Sequence, residues 1–169
     1  TAARNGDIAL GRVFCGRDIF ARKKRGQHVG KTKRGKGTKL MVVADGEGVP
    51  LGVLTESASP HECTLIEKTV DNIRVPRSGR GRPRTNPDRL IYDKAGDSDP
   101  LRERMMRRRI DFICPHRSNR KKQRVQDGRK LRRYKRRWKI ERTISWYGNF
   151  RRLVVRYERE ITVFTGFVH

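Results

Sequence analysis

The chain has only three cysteines, Cys15, Cys63 and Cys114, far apart and without a C-x-x-C pair. That excludes a disulfide framework and a thiolate zinc site. Long apolar runs are missing too: Leu40–Ala44 (LMVVA) is of strand length, so nothing reads as a membrane span. The opening residues have no charged head followed by an apolar block, so no secretory signal is visible, and a reducing cytoplasm is expected. Acids are scarce, with 18 Asp and Glu against 43 Lys and Arg and a net charge of +25. Such an excess goes far beyond what solubility requires and points to a polyanionic partner, nucleic acid first. The 169 residues suit one domain with a proper core, and no internal repeat appears.

Along the chain, residues 13–21 (VFCGRDIFA) read as a strand leading into a basic, glycine-rich loop over 22–39. Two β-branched runs flanking the D-G-E-G of residues 45–48 read as a hairpin, with Asp45 as a turn residue. Cys63, Ile66, Val70 and Ile73 recur at helical spacing. Residues 75–88 and 115–130 are basic loops, residues 89–93 and 110–115 short strands, and Ser98-Asp99-Pro100 opens a helix reaching about residue 109. From Leu131 to Phe150 the pattern predicts one long helix, its sheet-facing stripe formed by Tyr134, Trp138, Glu141 and Ser145. Strands alternating with helices predict an α/β fold, a mixed sheet flanked by helices.

Three aspartates crowd into YDKAGDSDP, residues 92–100. Asp97 and Asp99 suit a helix start. Asp93 instead ends a buried strand, where open α/β sheets present functional groups. Glu141 lies on the predicted stripe, four residues after Arg137, so its carboxylate is expected to face Asp93. Inward carboxylates on a cationic protein form a hard-oxygen site suited to magnesium or manganese.

The segments GKTKRGKGTKLMVVADGEGVPLGV, LIYDKAGDSDPLR, FICPHRSNRKK and DGRKLRRYKRRWKIERTISWYGNF together resemble the catalytic domain of DDE transposases of bacterial insertion sequences. Tyr134, Arg137 and Glu141 match that family's Y-x-x-R-x-x-x-E signature. The resemblance implies a ribonuclease H-like fold with one acid on the first strand, a second ending the fourth and a third on a late helix. Asp93 matches the second and Glu141 the third, with Tyr134 and Arg137 in support. For the first, alignment on Val13-Phe14 puts Gly16 at the expected aspartate, alignment on Phe20 puts Arg17 there, and Asp18 is the nearest carboxylate. Asp18, Asp93 and Glu141 are thus the expected ligands of two Mg²⁺ or Mn²⁺ ions, used to cleave and join DNA at element ends. Gly96 departs from the aromatic usual at its position, which leads one to expect weaker packing there. The other expectation is a decayed copy, or another basic protein, that only binds nucleic acid.

The resemblance also implies double-stranded DNA, element ends and target, as partner, a homo-oligomer assembled on it, and residence at the bacterial nucleoid. Residues 1–169 are read as the catalytic domain without the family's helical DNA-binding segment. The expected phosphate contacts are Lys23, Lys24, Lys31, Lys33, Arg34 and Lys36 in the first tract, and Arg120, Lys121, Lys122, Arg133 and Arg136 in the last. Trp138 is expected in the core, and His116 as an ordinary loop histidine.

Overall fold

A computed structural model describes residues 10–169 except 23, 34, 78, 124 and 126. Lys23 and Arg34, two of the nominated cations, therefore lie outside the described residues. The strands are β1 (Val13–Ala21), β2 (Gly30–Thr32), β3 (Gly35–Ala44), β4 (Pro50–Ser57), β5 (Arg89–Ile91) and β6 (Asp111–Ile113). The helices are α1 (Glu62–Asp71), α2 (Asp99–Arg107), α3 (Gly128–Leu131), α4 (Trp138–Tyr147), α5 (Arg151–Val154) and α6 (Ile161–Val168). Segments Lys94–Gly96 and Arg132–Arg137 are 3₁₀ turns.

One sheet joins all six strands. β1 pairs antiparallel with β3 and parallel with β5, and β5 pairs parallel with β6. On its other edge β3 carries β4 and, at its start, β2, both antiparallel. Both faces are covered. Cys15, Met41 and Val43 pack with Leu65, Ile66 and Val70 of α1 and Leu101 and Met105 of α2. Phe14, Leu40 and Val42 pack on the other side with Ile140 of α4, Leu153 of α5 and Phe164 of α6. Each Leu or Ile so buried is worth about 1.5–3 kcal/mol. A strand buried on both faces loses the alternation of a half-exposed one, which is why β3 reads as a continuous apolar run. The mixed sheet flanked by helices is the α/β arrangement expected.

Strand β1, the hairpin, α1 and α2 stand close to where the sequence puts them, and Asp45 is a turn residue whose Oδ1 accepts the Glu47 and Val49 amides at 2.8 and 2.9 Å. Three expectations need correction. The first basic tract is not all loop: Gly30, Gly35 and Gly37 lie within β2 and β3. A Cβ on Gly37 would stand 2.6 Å from the Phe20 carbonyl oxygen, so the strands close only without side chains, and such strands carry no apolar signal. The single long helix is three pieces, α3, the 3₁₀ turn and α4, because five of the six residues in Arg132–Arg137 (RRYKRR) are cations whose repulsion disfavours regular α winding. The buried face of α4 is Ile140 and Thr143, so Trp138, Glu141 and Ser145 turn outward; Trp138 is 50% exposed rather than in the core. The sequence reading assigns no element beyond residue 150, where α5 and α6 stand. Among the described residues no helix is long and apolar enough to cross a membrane.

Gly96 is buried, and its surroundings are full. A Cβ there would meet the Tyr92 ring at 2.5 Å and Ile66 at 3.1 Å. The expected packing weakness is absent because Tyr92 fills the space, its hydroxyl donating to Glu62 at 2.7 Å.

Candidate active site

Because β1, β5 and β6 run parallel, the segments that follow them leave the sheet at one end: the basic tract after residue 21, Asp93 to Asp97, and Cys114 to Gln123. This is the end at which open α/β sheets bind ligands.

Asp93 does act as a cap, contrary to its reading as a strand-end residue alone. Its Oδ1 accepts the Ala95 amide at 2.7 Å and opens the 3₁₀ turn Lys94–Gly96. The Cys114 thiol donates to the Asp93 carbonyl at 2.9 Å. Burial pushes that thiol's pKa up to about 12, which keeps it a neutral donor.

Glu141 is 54% exposed, yet it does not stand alone. Its Oε1 accepts from the Arg137 guanidinium, which also lies 3.7 Å from Asp93 Oδ2. The two carboxylates thus share one cation across 48 residues of sequence. Tyr134 stands with its ring centroid 5.7 Å from the same guanidinium. The 3₁₀ winding explains this, since side chains three apart eclipse in it, and it sets Tyr134 beside Arg137 before α4 carries Glu141 back over Arg137.

Asp18 is not brought to that pair. Its Oδ1 accepts the Ile19 amide at 2.7 Å, and with Lys33 and Lys36 it lines a cleft of about 560 Å³. Among the described residues no three His, Cys, Asp or Glu side chains are grouped to hold a metal ion. Asp93 and Glu141 share the Arg137 guanidinium, and their carboxylate oxygens are the donor type that a hard divalent ion prefers.

A second acidic centre was missed by sequence reasoning. Asp97, 3% exposed, accepts from Arg102 at 3.0 Å, His116 Nδ1 at 2.9 Å and the Arg117 amide at 2.9 Å. His116 Nε2 accepts the Val125 amide at 3.1 Å, which leaves Nδ1 as the protonated nitrogen. Burial alone would raise the Asp97 carboxyl, but these hydrogen bonds together outweigh it and bring the pKa to about 2. Arg120 joins the cluster, 2.8 Å from Asp99 and 3.4 Å from Asp97 with 11% of its side chain exposed. Neither aspartate caps α2 through its side chain, and Arg120 is held by acids rather than open to phosphate. The signal available in the sequence was the pairing of an acid-rich turn with an equally cationic loop about 20 residues later.

A model of the transposase DDE domain family matches residues 13–168. The chain belongs to that family. A protein from Burkholderia cepacia, described as a transposase for insertion sequence element IS402, is 31% identical over 132 residues, covering 78% of this chain and 59% of the relative. The chain therefore spans under two thirds of that relative's length. Among solved structures, a piggyBac transposase synaptic complex with hairpin DNA aligns with 69% of this chain and 27% of its own at 13% identity and a TM-score of 0.45. DDE transposases generally use divalent metal ions.

Of the nominated cations of this transposase domain, Lys24, Lys31, Lys33, Lys36, Lys121, Lys122 and Arg136 are exposed and Arg133 is half-buried. On α4, Arg142 lies 5.1 Å from the Trp138 ring and 5.5 Å from that of Trp146, which is 55% exposed. A larger cleft of about 780 Å³ follows β4 and the end of α6, with no Asp or Glu among the described residues that line it.

Proposed function

We propose that this domain binds double-stranded DNA at the ends of an insertion element and carries out metal-dependent cleavage and strand transfer there. The observation that carries the reading is that Asp93 and Glu141 meet on one guanidinium at the end of the sheet where the basic segments emerge. A divalent ion, Mg²⁺ or Mn²⁺, held by those two carboxylates would supply Lewis-acid polarisation of the scissile phosphodiester. Arg137 holds Glu141 in place and stands ready as its counter-charge, and Tyr134 holds Arg137. The exposed lysines contact phosphates, which positions the duplex without reading its sequence. Joining requires an element end and a target held together, which suits a homo-oligomer on DNA at the nucleoid. A two-ion form of the reaction would call on Asp18 as the third acid, and the structure holds that carboxylate at the Ile19 amide and the Lys33–Lys36 cleft.

Strand transfer on pre-cut element ends with Mn²⁺ tests this. The wild type should join, and Glu141→Gln should lose at least about 100-fold, the scale on which a charge acting at a transition state is felt. Equal joining by both proteins would remove Glu141 from the chemistry. The glycine at position 16 favours a second reading, in which the domain holds ends without cutting them. In that case duplex binding survives and the wild type does not join.

A further inference from the structure

We infer that this chain holds one divalent ion rather than two, because Gly16 occupies the place from which a third carboxylate would reach the Asp93–Glu141 pair. The inference rests on the proposed metal-dependent reading and concerns how many ions that site takes.

The β1–β5 register sets Val13 beside Leu90 and Phe14 beside Ile91. Continued two residues along both strands, it brings Gly16 level with Asp93, whose backbone is extended. The direction a side chain would take from position 16 is equally clear. A Cβ there would stand 2.7 Å from Ile144 Cδ1 and 2.8 Å from Ile140 Cγ1. Both belong to α4, and Ile140 directly precedes Glu141. Position 16 therefore lies level with the first acid and points at the helix that carries the other. It has no side chain, and α4 has settled onto the strand through that gap.

Its neighbours do not replace it. Arg17 alternates to the opposite face and pairs with Glu62 of α1. Asp18 returns to the α4 face, but two residues further on, roughly 7 Å along the strand. Its carboxylate is engaged by the Ile19 amide and lines the Lys33–Lys36 cleft. Two carboxylates are enough for one magnesium-type ion, whose remaining positions water and phosphate oxygens can fill. A two-ion site needs its metals about 3.5–4 Å apart with ligands shared between them, and among the described residues no third acid is in place to share.

The test counts Mn²⁺ bound to the free protein by electron paramagnetic resonance, with no DNA present. The net charge of +25 suppresses adventitious binding elsewhere. The expected result is one ion per chain at saturation, lost in Asp93→Asn and Glu141→Gln and retained in Asp18→Asn. Gly16→Asp combined with Ile144→Ala, which removes one of the two close contacts and leaves Ile140 to shift, should raise the count to two. Two ions on the wild type, or loss of the single ion in Asp18→Asn, overturns the inference while leaving metal-dependent chemistry standing. No bound Mn²⁺ on the wild type overturns both. Circular dichroism and thermal melting show whether the double variant folds; should it not, the wild-type and Asp18→Asn counts decide the question without it.

Discussion

Asp97 carries more of the architecture than its sequence position suggests. Its carboxyl titrates near 3.8 when unfolded and at about 2 in the folded chain. A depressed pKa means that the folded state favours the ionised form. The stabilisation is therefore fully present above about pH 4 and is lost as the pH falls through 2, with a size of about 2 kcal/mol. Asp97→Asn should accordingly be less stable than the wild type by roughly that amount at pH 6 and converge with it near pH 2. Urea midpoints of the two proteins measured across that range check the sign and the window; a gap independent of pH would show that the charge of Asp97 contributes nothing. The reason this residue reads as a helix cap in the sequence is that an acid before Asp99-Pro100 is ordinarily one. Its true partners, Arg102, His116 and Arg117, are up to 20 residues away, and no local pattern announces them.

Elements that announce themselves in the sequence are those whose signal is local. The β3–β4 hairpin follows from two β-branched runs and an Asp-Gly turn, and α2 from Pro100 at its start. Asp93 and Glu141 could be paired only through the family resemblance, in which Asp93 matches the second acid and Tyr134, Arg137 and Glu141 match a Y-x-x-R-x-x-x-E signature that survives the change of winding between Tyr134 and Glu141. What could not be read is the orientation of α4. Its stripe of Trp138, Glu141 and Ser145 and its stripe of Ile140 and Thr143 are both periodic, and only packing on β1 decides between them. The α5–α6 segment was hidden for another reason: it is anchored by a charge. Arg156 is 1% exposed and donates to the carbonyls of Gln27, Glu158 and Arg159 at 2.7, 3.0 and 3.0 Å and to the Thr38 hydroxyl, with its guanidinium 5.2 Å from the Phe164 ring. Replacing it by alanine leaves those buried acceptors without a donor and should cost about 3–5 kcal/mol. Lysine, lacking the planar fork, should recover only part of this. Thermal unfolding measures the loss, and limited proteolysis should show the segment after residue 150 released first.

On the scale of the molecule the charge is unevenly used. Several cations are committed internally: Arg156 to carbonyls, Arg102 and Arg120 to Asp97 and Asp99. In the proposed function, the exposed lysines of the β1–β3 connection and of the loop after β6 are those that meet phosphate. If about six phosphates are neutralised, the logarithm of affinity should fall with the logarithm of salt concentration at a slope near −5. Lys121→Ala with Lys122→Ala should flatten that slope by about 2, weakening binding to all sequences alike. Asp97→Asn separates a diffuse field from a positioned loop. The substitution raises the net charge by one, so a protein that bound DNA through total charge alone would bind more tightly. If Asp97 instead holds the segment from His116 to Lys122 against the sheet end through His116 and the Arg117 amide, the variant should bind more weakly despite its added positive charge, with a slope reduced toward that of the double lysine variant. Fluorescence anisotropy of a labelled duplex, titrated at several salt concentrations, distinguishes the two by the sign of the change.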